Sequence, residues 1–209
     1  MRDAWTKMET KLTIEERKRI KEAIHQKYAR VSNSPEGHFR YPTGRAALQA
    51  LNYNPQIIKA LPGAAVASYC GVGNPFTLGP VHEGGSVLDI GCGCGVDTLI
   101  AAIMVGPKGK AVGIDMVPEM LARARRNLQE TSLKNVTFQE ASAEDLPFSE
   151  DTFDVVISNG VFNLIPNKAK SLEEVFRLLK PQGRLMVADQ VLVGELPKET
   201  KISVDSWFK

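Results

Sequence analysis

The chain has 209 residues, 24% charged and 43% apolar, and its 26 Lys and Arg against 24 Asp and Glu leave a formal net charge of +2. That composition fits one folded domain, or one domain with an extension; it argues against wholesale disorder and against the basic excess that a nucleic-acid partner needs. No apolar stretch approaches the ~20 residues of a membrane helix, the start M-R-D-A-W-T-K is no signal-peptide core, and three cysteines make no disulfide framework, so a soluble, cytoplasmic protein with reduced thiols is expected.

Residues 1–12 are polar. Thr13 with Glu16 reads as a capping box, and Ile20, Ile24 and Tyr28 follow at helical spacing. The basic run Arg17, Lys18, Arg19, Lys21 and Lys27 reads as a solvated helix face, because Glu15, Glu16 and Glu22 interrupt it; a surface for an anionic partner is the other reading. Residues 32–85 are rich in Gly, Pro, Ser and Asn, with helices expected near 43–51 and 55–61. A segment of that length ahead of a regular core predicts a lid or cap.

From Ser86 the rhythm changes. Strands are expected at 87–90, 111–115, 136–139, 153–158 and 184–189, alternating with helices at 96–105, 118–129 and 168–179. Pro118 suits the first turn of the second of these helices, and Gly106-Pro107 closes the first. Apolar strands alternating with helices of ten to fifteen residues predict an α/β fold, a doubly wound parallel sheet covered on both faces with right-handed crossovers. The chain divides into an N-terminal helix and cap, 1–85, and an α/β domain, 86–209.

The segment V-L-D-I-G-C-G-C-G, 87–95, carries the most chemistry. Gly91, Gly93 and Gly95 follow a strand and open a helix, so backbone can approach a ligand without an intervening side chain. Twenty residues beyond Gly95, at the next strand's end, Asp115 is placed to accept both hydroxyls of a ribose. The dinucleotide fingerprint G-x-G-x-x-G/A fails here, because its last position is Val96.

G-x-G-x-G preceded by Asp89 instead resembles the first motif of the class I S-adenosylmethionine-dependent methyltransferases, which have a Rossmann-like fold. A-S-A-E-D-L-P-F at 141–148 is similar to their adenine-holding loop, F-D-V-V-I-S-N at 153–159 to their fourth-strand motif, and L-L-K-P-Q-G-R-L at 178–185 to their turn into the fifth strand. The resemblance implies S-adenosyl-L-methionine as cofactor, held by Asp89, Gly91, Cys92, Gly93, Asp115, Met116, Ala143, Glu144 and Asn159, with Asn159 facing the sulfonium. A nicotinamide-dependent oxidoreductase and a non-catalytic cofactor-binding protein are the competing readings.

Within that class, G-N-P-F at 73–76, G-I-D-M-V-P-E-M-L at 113–121 and V-V-I-S-N-G-V-F-N-L at 155–164 most resemble the arsenite methyltransferases. Those enzymes hold trivalent arsenic with cysteine thiolates. The matching positions here are Val72 and Gly160, and the third lies beyond the last residue given. Cys70 is open as a relocated ligand or a packed apolar residue, and Cys92 and Cys94 fill the loop; no metal site is expected.

No His or Glu stands out as a base, which favours a small, soft or already nucleophilic acceptor such as a thiol or metalloid. Tyr69, Cys70, Asn74 and Asn163 are the candidates for its site, with His38 and Tyr41 nearby in the cap; no catalytic residue is assigned. The family's fold carries two further strands after the fifth. Only twenty residues follow Asp189, with Gly194 and Pro197 early in them and 203–209, including Trp207 and Phe208, reading as the first turns of a helix. The C-terminal strands are therefore expected to be missing and the sheet to stop at five. Either the sequence is a truncated form of a longer protein or a homodimer covers the fifth-strand edge.

Overall fold

A computed structural model describes residues 12–191. The readings for 1–11 and for the stretch holding Trp207 and Phe208 lie outside those residues. In the described part, a capped helix and a run of short helices precede a parallel sheet. Helix α1 (Ile14–Val31) starts with the expected capping box: the Glu16 N–H donates to Thr13 Oγ1 at 3.2 Å and the Thr13 N–H donates to Glu16 Oε2 at 2.7 Å. The cap contains α2 (Gly44–Ala50), α3 (Pro55–Ala60), α4 (Gly63–Ala67) and a 3-10 turn at Pro75–Leu78. Helix α4 and the turn have no periodic signature in sequence. Each is too short to show one, and each is set by a proline, Pro62 or Pro75, at its start.

The sheet contains β1 (Ser86–Ile90), β2 (Lys110–Asp115), β3 (Val136–Glu140), β4 (Phe153–Asn159) and β5 (Leu179–Ala188), in the order β3-β2-β1-β4-β5, every pair parallel. Helices α5 (Val96–Val105), α6 (Pro118–Gln129) and α7 (Lys168–Leu178) make three of the four crossovers, and a loop, 141–152, makes the one from β3 to β4. Successive strand residues face opposite sides. Val87, Ala111, Val155 and Ile157 pack with α5 and the cap residues Leu48, Tyr53, Ile58 and Val66; Leu88, Val112, Ile114 and Val156 pack with Val175 and Leu178 of α7. The cap thus shares the hydrophobic core of one sheet face with α5, a helix apolar nearly all round.

One boundary differs from expectation. Strand β5 begins at Leu179 rather than Arg184, because Leu179 pairs with Phe153 before the register slips and resumes at Val155 and Arg184. The intervening K-P-Q-G forms a bulge, with Gln182 at φ +66°. Proline and glycine read as a turn in sequence; the sheet tolerates them as an edge irregularity. Among the described residues the sheet has five strands, and no helix is long and apolar enough to cross a membrane.

Candidate cofactor site

The carboxyl ends of β1, β2 and β4 open into a cleft enclosing about 1100 Å³ of non-atom space, solvent at its mouth included. All nine residues assigned to the cofactor line it: Asp89, Gly91, Cys92, Gly93, Asp115, Met116, Ala143, Glu144 and Asn159. Order β2-β1-β4 explains the gathering, since the strand order reverses direction beside β1 and leaves a crevice there.

The two glycines that matter most differ. Gly91 has φ +69°, and a Cβ added there would lie 2.4 Å from Val161 Cγ2; Gly93 has φ +52°, and a Cβ there would meet nothing within 4 Å. Gly91 is bare because the fold is packed against it, whereas Gly93 is bare at the cleft wall. The loop is held rigidly: Cys92 N–H donates to Ile114 O at 2.8 Å, and Asn127 Nδ2 donates to Cys94 O at 2.9 Å.

Asp115 stands on the β2 side. Its Oδ2 accepts the Gly93 N–H and its Oδ1 the Val117 N–H, both at 2.9 Å. Burial raises its pKa against these hydrogen bonds. Two acceptor positions are thus used, and about two of a carboxylate's four remain for a ligand. Glu144 receives Lys21 Nζ at 2.6 Å and the Asn167 N–H at 2.9 Å. Lys21 belongs to α1, whose Ile24 and Tyr28 also line the cleft. Reading that basic helix face as wholly solvated missed the turn that Lys21 makes into the site.

Asn159 ends β4. Its Nδ2 donates to Gly73 O at 2.8 Å and to Asp97 Oδ2 at 2.9 Å; its Oδ1 accepts the Val72 and Gly73 N–H groups at 2.9 and 3.1 Å. The amide expected to face the sulfonium is therefore spent fastening the 71–73 turn to the sheet, although the residue borders the cleft. Asp97, in the first turn of α5, completes that network, its Oδ1 accepting the Tyr53 hydroxyl at 2.7 Å. Sequence reasoning missed Asp97 and Tyr53; the one available signal was an acid two residues beyond the last glycine of the loop.

Of the four acceptor-site candidates, Tyr69 and Cys70 line the cleft, and Asn74 and Asn163 do not. Asn74 is engaged elsewhere: its Oδ1 caps the 3-10 turn at Phe76 N–H, and its Nδ2 donates to Leu51 O and Asn52 O. Asn163 also lies off the cleft wall. It follows the Gly160-Val161 bend, where its N–H donates to Asp189 Oδ2 at 3.0 Å, and its Oδ1 is buried without a partner. His38 is likewise absent from the cleft wall, while Tyr41 is on it.

Burial pushes the Cys70 and Cys92 thiols up and Cys94 to about 11, so all three are thiols rather than thiolates at neutral pH. Cys94 Sγ sits 3.4 Å from Met120 Sδ in an apolar cluster that Cys70 packs against. Positions 72 and 160, where the resemblance places thiolates, meet in space: a Cβ on Gly160 would lie 3.3 Å from Val72 Cγ1.

The donor set suits the cofactor that the resemblance implies, with an open glycine cradle, a carboxylate beside it and an apolar wall of Ile90, Ile114 and Val117. Comparison with known proteins agrees. A methyltransferase domain family model matches residues 81–207. An arsenite methyltransferase of Halobacterium salinarum is 38% identical over 136 residues, 65% of this chain and 35% of that protein. A demethylmenaquinone methyltransferase of Lactococcus lactis is 42% identical over 102 residues, 48% of this chain and 40% of that protein. The chain therefore spans well under half the length of these curated relatives. Among solved structures, an arsenic(III) S-adenosylmethionine methyltransferase from Chlamydomonas reinhardtii matches with TM-score 0.54 and 34% identity, over 71% of this chain and 50% of that one. A S-adenosylmethionine-dependent methyltransferase from Aquifex aeolicus matches with TM-score 0.52 and 26% identity, over 77% of this chain and 82% of that one. A fold, a glycine loop and a family match over more than half the chain converge, and the chain belongs to the methyltransferase domain family, in its S-adenosylmethionine-dependent branch.

Proposed function

We propose that this chain binds S-adenosylmethionine in the β1-β2-β4 cleft and transfers its methyl group to a small acceptor that arrives nucleophilic, a thiol or a thiol-bound metalloid. The observation that carries the reading is Gly93, bare at the cleft wall and hydrogen-bonded to Asp115. When bound, S-adenosylmethionine supplies an electrophilic sulfonium methyl. Asp115 would orient the ribose, Gly93 would leave room for the chain that follows it, and Ala143 and Glu144 would border the base. Tyr28 and Ile24 of α1 add apolar surface to the cleft wall, which would help to keep water from the reacting atoms.

The acceptor class follows from the proton inventory. No histidine lines the cleft among the described residues. The thiols and the phenols of Tyr28, Tyr41 and Tyr69 are held protonated by burial. Glu144 is tied to Lys21, and the other carboxylates on the wall, Asp89, Asp97 and Asp115, each already accept hydrogen bonds from the protein. An acceptor with its lone pair already available asks least of this wall. Arsenite itself is a poor fit, since Val72 and Gly160 donate no thiolate.

A non-catalytic cofactor-binding protein is the second reading, favoured by those two positions. Calorimetry with S-adenosylhomocysteine, then labelled-methyl transfer to thiols, thiol-bound arsenicals and quinols, separates the two. Binding with transfer to a thiol or thiol-bound acceptor supports the first reading, and binding without transfer to any acceptor supports the second. Absence of binding refutes both. Within the same proposal, β5 pairs on one side only among the described residues, and a second copy covers its free edge; sedimentation showing a monomer would refute that part.

A further inference from the structure

We propose that the methyl acceptor is an arenethiolate, a sulfur anion carried on an aromatic ring, selected by Lys27 and the rings of Tyr28, Phe39 and Tyr41; the inference rests on the thiol reading above. Helix α1 gives the direction of the cleft. Its Lys21 meets Glu144 at the loop assigned to the base, and Tyr28 stands about 10 Å further along the helix axis. Tyr28 and Tyr41 line the cleft together with Cys70, whose carbonyl accepts the Tyr41 hydroxyl at 3.2 Å. Cys70 precedes Val72, which meets Gly160 just beyond β4, so the aromatic group lies towards that contact rather than towards the base loop. The Phe39 ring joins the two tyrosines, its centroid 6.4 Å from that of Tyr28 and 5.0 Å from that of Tyr41. Lys27 Nζ lies 5.6 Å from the Tyr28 centroid and 5.1 Å from the Phe39 centroid.

These rings and this ammonium beside one cleft match a flat, apolar ligand that carries negative charge. Lys27 is half-buried, and burial lowers its pKa, a direction that an anion beside it reverses. Asp189 also acts on the Tyr28 and Tyr41 phenols, but it is off the cleft wall, accepts the Asn163 and Gln190 N–H groups at 3.0 and 2.7 Å, and interacts with Lys168. Among the described residues the wall offers no base, so an acceptor thiol must ionise on its own. An alkyl thiol, with a pKa near that of cysteine at about 8.5, is mostly protonated at neutral pH. Conjugation with a ring delocalises the charge and makes an arenethiol the stronger acid. The thiolate lone pair then forms the new S–CH3 bond as the bond from that methyl to the sulfonium breaks. The bonding pair stays on the cofactor sulfur, the two charges cancel, and no proton moves.

The test compares labelled-methyl transfer by wild type to benzenethiol, cyclohexanethiol and phenol from neutral to alkaline pH, with kcat/KM expressed per thiolate. In solution the alkyl thiolate is the stronger nucleophile, because nucleophilicity falls with pKa. Benzenethiolate is expected to lead on the protein by about tenfold, the reverse of that order, and phenol to accept no methyl. A cyclohexanethiolate value equal to or above that of benzenethiolate overturns the proposal, as does comparable transfer to phenol. A second readout needs no turnover: benzenethiolate is titrated by calorimetry into protein saturated with S-adenosylhomocysteine. K27Q is expected to bind it about three- to tenfold more weakly than wild type, and K27R within about twofold of wild type. Unchanged affinity in K27Q overturns the proposal, and an equal loss in K27R, which keeps the charge, also does so. Wild type that fails to bind S-adenosylhomocysteine refutes the cofactor reading, and wild type that binds it but methylates neither thiol refutes the thiol reading; this inference falls with either. Transfer to both thiols without the preference refutes this inference alone.

Discussion

Gly91→Ala and Gly93→Ala separate the two reasons for glycine in the loop after β1. Both positions have positive φ, +69° and +52°, so alanine at either costs about 1–2 kcal/mol of backbone strain. At Gly91 the new Cβ would lie 2.4 Å from Val161 Cγ2 and 3.1 Å from Val161 Cβ. Valine is stiff at χ1, so this overlap adds about 1–3 kcal/mol of overpacking. At Gly93 the new methyl meets no protein atom within 4 Å and stands at the cleft wall. Urea denaturation should therefore show G91A losing about 2–5 kcal/mol and G93A only about 1–2 kcal/mol. Ligand binding should not follow that order. G93A, although the better folded of the two, should bind S-adenosylhomocysteine about tenfold or more weakly than wild type, because its methyl occupies ligand space. An unchanged affinity in G93A, or a stability loss equal to that of G91A, would refute the argument that Gly93 is kept bare for a ligand.

Asp115→Ala should weaken S-adenosylhomocysteine by about 2 kcal/mol in calorimetry, the scale of a charge-assisted hydrogen-bond pair, and should lower stability because the Gly93 and Val117 N–H groups lose their acceptor; unchanged affinity would remove Asp115 from the site. Wild type should show weak or absent arsenite methylation. Placing thiols at both positions in V72C/G160C should give measurable arsenite binding, at roughly 1–2 kcal/mol of strain for a side chain at Gly160's positive φ; tight stoichiometric arsenite binding with methylation by wild type would contradict the first statement, and no binding by the double variant the second. Burial raises the Asp97 pKa from 3.8 to about 6. Its contribution to stability is therefore fully present below pH 3.8 and is lost as pH rises through 6, by up to about 3 kcal/mol. Urea melts between pH 4 and 7 should show a flatter stability profile for D97N than for wild type, and parallel profiles would show the raised pKa to be wrong.

Local sequence patterns determined much of this protein. The alternation of apolar strands with helices defines a parallel sheet, because only a strand covered on both faces can be apolar throughout. V-L-D-I-G-C-G-C-G with Asp115 at the next strand end marked the cleft, since a glycine loop and an acid at that spacing converge wherever β1 and β2 are neighbours. The capping box at Thr13 was legible for the same reason, as its partners lie three residues apart. What the tertiary structure alone decided depends on contacts between distant segments. Asn159 looked like a free amide at a strand end, but the cap's 71–73 backbone, more than eighty residues earlier, claims both its donor and its acceptor. Lys21 looked solvated until the packing of α1 brought it to Glu144, 123 residues away. Asn74 and Asn163 had the right chemistry for an acceptor site, but Asn74 caps a 3-10 turn and neither lines the cleft. Asp97 and Tyr53, 44 residues apart, make one buried pair that no local pattern encodes. Periodicity and spacing report what a residue's own segment demands; which polar groups end up satisfied inside the protein and which stay open to a ligand is settled only when the segments meet.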